Sequence, residues 1–315
     1  MDTQYKNIKS LNLRQLVYAL AAADHGNVTA AARWLNVSQP AVSSAIAALE
    51  QHYGIKLFTR QPAQGITLTP FGIKVMAEAR LLCDQAQTVA ALATPEAKIA
   101  GEVSLCCYEA IAPYIVPRVL TRLAKRLPDV SVRFFEADLN GAASALVQGR
   151  ADLAITYDLG LRSELSTQTL YTLQPQVICS TDHAFADRTQ LSLSDLDGQD
   201  LILLDQPLSA QYVMGLLRAS SAVPVIVAHV RGMELQRALV ANGFGVALAH
   251  TLPPAEASYD GKRVVGLPLS DDLIAQRVLS ACHRNSQDRP ILKAVQAEMI
   301  SEFADGLGGR HEAVS

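Results

Sequence analysis

Several features of membrane and secreted proteins are missing from this 315-residue sequence. No apolar run approaches the roughly 20 residues that a membrane-spanning helix needs. The first nine residues, MDTQYKNIK, lack the apolar core of a secretory signal peptide. The five cysteines, at positions 83, 106, 107, 179 and 282, form neither a paired extracellular framework nor a spaced zinc motif. These absences predict a cytoplasmic protein that has no membrane partner and whose thiols are buried and inert.

The short motifs of many α/β enzymes are also missing. The sequence contains no Gly-x-Ser-x-Gly elbow, no phosphate-binding Gly-Lys-Ser/Thr loop, no HExxH pair and no spaced Cys/His cluster. The run NGFG at 242–245 lacks the third glycine of a dinucleotide fingerprint and follows a predicted helix instead of a strand. We therefore expect no catalytic residues, no metal and no cofactor. An enzyme built on the α/β part of the chain stays as an alternative.

Length and charge indicate several domains with different partners. A chain of 315 residues, half of them hydrophobic, predicts two or three domains with substantial cores. Residues 1–94 hold eight Lys/Arg and five Asp/Glu, a balance of +3, whereas the rest of the chain carries −6, which together make the net −3. The basic bias lies in the N-terminal part and is mild.

Residues 29–50 have the pattern of two helices joined by a tight turn. Asn36 breaks the first helix, Ser38 is a favoured N-cap residue and Pro40 suits a first helical turn. The apolar residues whose helical spacing predicts that the two helices pack together are Ala31, Leu35, Val37, Val42, Ile46 and Leu49.

The flanking segments complete a winged-helix plan. An apolar stripe over 13–20 predicts a preceding helix, and two apolar-alternating segments around a Pro/Gly turn at 61–65 predict a β-hairpin wing. Gln39, Ser43 and Ser44 lie on the outer face near the start of the second helix. In helix-turn-helix proteins this end enters the major groove, where Gln pairs with adenine and Ser serves several bases.

Residues 13–60, LRQLVYALAAADHGNVTAAARWLNVSQPAVSSAIAALEQHYGIKLFTR, resemble the N-terminal signature of the LysR-type transcriptional regulators. The turn VSQPAVS and the LF-x-R start of the wing are the most specific parts. The resemblance implies a sequence-specific regulator that binds double-stranded DNA as a homodimer or homotetramer and is controlled by a small-molecule effector. With the helix-turn-helix pattern, it assigns DNA contacts to Thr29, Arg33, Ser38, Gln39, Pro40, Ser43, Ser44, Arg60 and Thr67.

The sequence departs from the family at positions that bear on DNA affinity. Family members commonly have Arg or Lys where Ser44 and Ala47 stand, and a basic pair where Ala63 and Gln64 stand. Because phosphate neutralisation supplies much of the affinity for DNA, one protomer should bind weakly and depend on a paired partner.

Residues 71–93 predict one long helix with a heptad seam. Val75, Leu82 and Val89 repeat every seven residues. Ala79, Ala86 and Ala93 supply the alternate positions. In the resembling family this helix pairs with that of a second protomer; the alternative is an amphipathic helix packed on its own domain.

From residue 101 onward, strand and helix patterns alternate and predict parallel α/β sheets. Two similar sets imply two lobes that cross near 161–169 and 264–268. Motifs of the LysR effector domain, which is periplasmic-binding-protein-like, occur as IAPYIVP at 111–117, LPDV at 127–130, GRADLAI at 149–155 and LVANGFGVAL at 239–248. We expect a mainly α winged helix-turn-helix domain (1–70), a linker and dimerisation helix (71–94), a hinge (95–100) and a two-lobed α/β effector-binding domain (101–315), with lobe 1 at about 101–164 and 267–303 and lobe 2 at about 165–266.

Ligands of open α/β sheets bind beyond the carboxyl ends of the strands. Applied to this sequence, the rule selects Tyr108, Glu109, Asp158, Gln206, Ser209, His229 and Arg231 as effector contacts. Family members commonly have small hydroxyl residues where Tyr108 and Ala110 stand, and Ser where Gly232 stands. Because Glu109 and Asp158 add negative charge, an amine or polar aromatic ligand is favoured over a simple dicarboxylate. Each of these residues also has a structural alternative, such as a helix cap at Asp158.

Two alternatives concern the effector domain. The cleft could bind nothing, leaving a constitutive DNA-binding protein, or the signal could be cysteine oxidation. Cys106 and Cys107 are adjacent in a predicted strand, so their side chains should point to opposite faces. In peroxide-sensing family members the reactive pair lies in the second lobe, and residues 190–281 contain no cysteine here, which counts against a redox switch.

Overall fold

Three helices and a two-stranded hairpin build the N-terminal domain of the computed structural model, which describes residues 11–61, 65–91, 99–250 and 257–304. Asn12 and Asn27 cap the first two helices by accepting hydrogen bonds from backbone N–H groups of the first turns. Asn36 adopts a left-handed φ of 53°, which ends the second helix as predicted. The elements are α1 (Leu13–His25), α2 (Val28–Trp34), α3 (Gln39–Tyr53), β1 (Phe58–Gln61) and β2 (Gly65–Leu68).

The apolar stripe read from the sequence forms the core of this domain. Ala31, Val42 and Leu49 are buried, and Leu35, Val37 and Ile46 pack around them. The hairpin pairs antiparallel and docks on α1 through a 2.8 Å hydrogen bond from the Ile66 N–H to the Gly26 carbonyl. Ala63 and Gln64, at the tip of the predicted wing, lie outside the described residues.

The long helix α4 (Pro70–Ala91) divides its apolar stripe between two environments. Met76 and Ala79 are buried in the core of the N-terminal domain, and Val75 packs against that core. Further along, Leu82 and Val89 are 44% and 61% exposed. The first half of the predicted seam therefore packs within its own domain, and Leu82 and Val89 of the second half face outward. Ala93 of the seam and residues 95–98 of the predicted hinge lie outside the described residues. No helix in the described ranges is long and apolar enough to cross a membrane.

Lobe 1 is a five-stranded sheet of order β4-β3-β5-β12-β6. Strands β3, β4 and β5 run parallel, while β12 pairs antiparallel with both β5 and β6. Its core joins the sheet to α5 and α9. The elements are β3 (Gly101–Tyr108), α5 (Ala112–Arg126), β4 (Val130–Ala137), α6 (Leu139–Val147), β5 (Leu153–Tyr157), β6 (Leu165–Leu173), β12 (Gln276–His283) and α9 (Pro290–Phe303).

Lobe 2 contains a three-stranded sheet of order β10-β7-β11 and the parallel pair β8-β9. The segment before β10 links them, because the Ile202 N–H donates to the Val246 carbonyl at 2.9 Å. The elements are β7 (Gln176–Ser180), β8 (Asp200–Leu204), α7 (Pro207–Ser220), β9 (Val225–Val230), α8 (Met233–Ala241), β10 (Ala247–Ala249) and β11 (Val264–Pro268).

The two lobes differ from the prediction in boundary and in strand direction. Strand β6 belongs to the sheet of lobe 1, so the first crossing falls at 174–175, later than predicted, and the return follows β11. Both lobes hold antiparallel pairs, so the sheets are mixed and not parallel throughout. The alternation of strand and helix patterns predicts the parallel βαβ units. It does not predict the direction of β6, β11 and β12, because these strands pair with partners that are distant in the sequence or joined without a crossover helix.

Candidate functional site

The outer face of α3 presents the predicted base-reading residues. Ser38 precedes the helix in extended backbone, with no side-chain capping hydrogen bond, and Pro40 stands in the first turn. Gln39 and Ser44 are exposed, and Ser43 is half-buried. The Gln39 amide Nε2 donates to Ser43 Oγ at 3.0 Å, one turn further along. These groups therefore form one polar patch at the N-terminal end of α3.

The remaining predicted DNA contacts stand on α2 and on the wing. Thr29 and Arg33 are exposed on α2. Thr67 is exposed on β2, and its hydroxyl lies 2.8 Å from that of Thr59 across the hairpin. Arg60 belongs to β1, and its side chain lies outside the described part. Exposed polar groups therefore stand on α2, α3 and the wing.

A hydrogen-bond network crosses the gap between the two lobes. Tyr108, the last residue of β3, donates its hydroxyl to Gln206 Oε1 at 2.6 Å and lies 3.0 Å from Ser209 Oγ. Gln206 Nε2 donates to Glu109 Oε1 at 2.7 Å. Tyr108 and Gln206 are 1% and 6% exposed. Four of the seven predicted effector contacts therefore meet, because β3 and β8 end at the same cleft.

The other three predicted contacts stand at the rim with different partners. The Asp158 carboxylate pairs with the Arg277 guanidinium of β12, and so does not cap a helix. His229 Nδ1 lies 4.0 Å from Asp205 Oδ2, with both side chains 57% exposed. Arg231 joins the network only through its carbonyl, 3.1 Å from Gln206 Nε2, while its residue is exposed. Arg277 was not predicted from the sequence, because it reaches Asp158 only through the pairing of β12 with β5.

Aromatic rings line the floor of the same gap. The Tyr157 ring of lobe 1 lies 5.2 Å from that of Tyr108 and 6.0 Å from that of His250 in lobe 2. Tyr212 lies 5.1 Å from His250 on the other side. Burial lowers the pKa of His250 to about 4 and raises the pKa of Tyr108 to about 12, so both side chains are neutral near pH 7.

A second contact between the lobes was not predicted. Tyr114 of α5 donates its hydroxyl to Glu234 Oε1 of α8 at 2.9 Å. Arg237 donates to the same oxygen at 2.8 Å. The pair joins residues that are 120 positions apart in the chain. The only sequence signal for a role of Tyr114 is its position within the IAPYIVP motif.

Four of the five cysteines have the surroundings of structural thiols, whereas Cys83 of α4 is half-buried, which differs from the prediction. Cys106 and Cys107 are buried on opposite faces of β3, in two different cores, as predicted. Cys179 and Cys282 are also buried. Burial raises the pKa of Cys106, Cys179 and Cys282 to about 11 and that of Cys107 well above its usual value. Because the thiolate is the reactive form, these surroundings disfavour oxidation.

Both halves of the chain match profiles of one protein family. Residues 13–73 match the family described as "Bacterial regulatory helix-turn-helix protein, lysR family", and residues 96–304 match "LysR substrate binding domain". The chain belongs to the LysR family of bacterial transcriptional regulators. It is thus a DNA-binding regulator with an effector-binding domain, and not an enzyme. This confirms the winged-helix and two-lobed fold expected from the sequence.

Individual LysR proteins resemble it over most of their length. The DNA-binding transcriptional dual regulator OxyR of Escherichia coli is 27% identical over 93% of this chain and 97% of its own. The regulator TdfR of Cupriavidus pinatubonensis is 30% identical over 76% of this chain and 82% of its own. The structure of a full-length OxyR variant from Pseudomonas aeruginosa, 22% identical, superposes with a TM-score of 0.78 over 92% of this chain and 97% of its own, a likeness of fold.

Proposed function

We propose that this LysR-type regulator acts in the cytoplasm, reads an operator with α3 and α2, and responds to a small polar molecule held between its lobes. The response to a small molecule is supported by the hydrogen-bond network of Tyr108, Gln206 and Glu109, whose side chains join the two lobes. A ligand that replaces or adds to these hydrogen bonds changes the relative free energies of lobe arrangements and so shifts their populations.

DNA reading rests on the polar patch of α3. Gln39 exchanges its hydrogen bond with Ser43 for a bidentate pair with an adenine edge, and Ser44 contacts a neighbouring base or phosphate. Arg33 and Arg60 supply phosphate contacts, flanked by the hydroxyl groups of Thr29 and Thr67. Since few cations accompany them, the affinity of one winged helix is low.

A second copy of the chain supplies the missing affinity. Leu82 and Val89 leave an apolar stripe exposed on the second half of α4, which a second α4 covers in a homodimer. Two winged helices on one DNA then bind with a high effective local concentration. The assignment of residues 71–94 as linker and 95–100 as hinge belongs to this proposal.

The effector is an amine or a polar aromatic molecule. Glu109, Asp158 and Asp205 surround the gap with carboxylates, and Arg277 neutralises Asp158. The floor offers the rings of Tyr108, Tyr157 and His250. These surroundings favour a ligand that stacks on aromatic rings and donates hydrogen bonds over a ligand that carries a carboxylate. His229 and Arg231 at the rim complete the contacts.

Selection from a random pool of DNA duplexes tests the DNA half. Gln39→Ala should weaken binding to the selected duplex by about 1–3 kcal/mol and leave binding to a scrambled duplex unchanged, because it removes base pairing and not phosphate contacts. Gln51→Ala, at an exposed position near the other end of α3, is the matched control and should change neither affinity. Failure to enrich any sequence would contradict operator reading.

A thermal-shift screen of small metabolites tests the cleft. A molecule that stabilises the parent should lose most of that effect with Tyr108→Phe and Gln206→Ala, since both remove partners from the network. Tyr259→Phe, at a residue that is 90% exposed in lobe 2, should respond as the parent does. A stabilising molecule that is insensitive to both cleft variants binds elsewhere, which would refute the assignment.

A further inference from the structure

A cluster of charged and polar side chains joins α4 to lobe 1. Arg289, in the loop before α9, has a side chain that is 8% exposed. Its Nη1 lies 2.6 Å from Asp152 Oδ1 of lobe 1 and 3.2 Å from Asp84 Oδ1 of α4. Ser286 donates its hydroxyl to Asp84 Oδ2 at 3.0 Å, and Arg289 Nη2 donates to Gln87 at 3.4 Å. One buried guanidinium thus holds carboxylates of two domains.

The same helix is tied to the winged helix one turn earlier. Arg80 of α4 pairs through both terminal nitrogens with Asp24 of α1, one of the bonds measuring 3.0 Å. The Arg80 side chain also lies on Gly149 of lobe 1, which has a φ of +65° and where an added Cβ would overlap Arg80 Cδ. Arg80 therefore contacts the DNA-binding domain and lobe 1 together.

Charge makes this arrangement specific. A cation buried between two carboxylates is stable only while its partners stay in place, because removing one partner of a buried pair leaves an uncompensated charge. Undocking α4 separates Asp84 from Arg289 and exposes the buried Ser286 to water. Docking therefore has one defined geometry, which an apolar contact alone does not impose.

We propose that Arg289 is a positioning residue that clamps α4 to lobe 1. While the clamp is closed, the winged helix, α4 and lobe 1 move together relative to lobe 2, and opening the clamp frees the hinge proposed at 95–100; the role of lobe 2 rests on the proposed function of the cleft. Asp152 stands directly before β5, and the last residue of β5, Tyr157, contacts Tyr108 and His250 at the cleft. A strand of five residues spans about 17 Å. Strand β5 therefore connects the effector cleft mechanically to the clamp, and through α4 to the DNA-binding domain.

Amide hydrogen exchange on the full chain tests the clamp. Arg289→Gln should raise the exchange rates of amides at 80–87 by about tenfold or more, because α4 opens locally once its partner is gone. The matched control is Arg122→Gln, which removes a 2.8 Å ion pair with Glu298 inside lobe 1 and should leave 80–87 as in the parent. Measuring at two protein concentrations separates this effect from dimer dissociation.

Two further variants keep the test decisive. Asp84→Asn removes the α4 side of the contact while lobe 1 keeps Asp152 with Arg289, and serves if Arg289→Gln fails to fold. In the double variant the two increases should not add, since they break one contact. Tyr157→Ala alone should raise exchange at 80–87 above that of the parent. The double variant Tyr157→Ala/Arg289→Gln should exchange no faster there than Arg289→Gln alone. Unchanged exchange at 80–87 in folded Arg289→Gln or Asp84→Asn would overturn the clamp, and additive effects of Tyr157→Ala would overturn its link to the cleft.

Discussion

His250 should make the stability of this protein fall in mild acid. The residue follows β10 at the floor of the cleft, between the rings of Tyr157 and Tyr212, and its Nε2 has no hydrogen-bond partner among the described residues. Burial lowers its pKa to about 4, whereas an unfolded chain titrates near 6.5. The folded state therefore keeps a neutral imidazole over a pH range in which the unfolded state gains a proton.

The sign and size of the effect follow from proton linkage. The stabilisation by neutral His250 is complete above pH 6.5 and is lost as the pH falls toward 4. Between pH 8 and pH 5 this loss is about 2 kcal/mol. Because part of the residue is open to solvent, that value is an upper bound.

Urea unfolding at pH 8 and pH 5, followed by circular dichroism, measures the change. The parent should lose more stability than His250→Gln by up to about 2 kcal/mol, while His229→Gln, at a histidine that is 57% exposed, should behave as the parent. The single tryptophan, Trp34, reports the winged helix separately by fluorescence. Equal losses in the parent and in His250→Gln, or a His250 signal that titrates near 6.5 by NMR, would refute the reasoning.

Two further predictions concern the wing and the thiols. Glu50→Ala should destabilise the winged helix by about 1–3 kcal/mol, since Glu50 Oε1 accepts hydrogen bonds from the N–H groups of Leu57 and Phe58 at 3.0 and 3.3 Å. Urea unfolding by Trp34 fluorescence checks this, with Gln51→Ala as control, and a loss below about 0.5 kcal/mol would contradict it. A thiol reagent should modify Cys83 first and the four buried cysteines only on unfolding, so fast labelling of Cys106 or Cys107 in the native protein would reopen redox sensing.

Local sequence patterns were sufficient to predict the winged helix. The turn at Asn36, the positions of Ser38 and Pro40, and the burial of Ala31 depend on neighbours within a few residues, so short-range rules suffice. Part of the cleft was also predictable, because Tyr108 ends β3 of lobe 1, Gln206 follows β8 of lobe 2, and ligands of such sheets bind beyond the carboxyl ends of the strands.

Long-range pairing limited the rest of the prediction. Strand β6 joins lobe 1 because it pairs with β12, which lies about a hundred residues further along the chain, and no local pattern contains that pairing. From the sequence, Asp158 could cap a helix or contact a ligand, because its partner Arg277 lies 119 positions further along the chain. His250 and Arg289 carry no motif, and their roles depend on which elements enclose them.

By itself, the sequence determined the family, the helix-turn-helix, the two-lobed plan and the absence of enzyme motifs, since these depend on residue type, spacing and signature. Only the tertiary structure decided which side chains face each other across the lobes and which cation joins α4 to lobe 1. Hydrogen bonds and buried ion pairs act over a few ångströms between residues that are up to about two hundred positions apart, and one chain's spacing contains no record of such contacts.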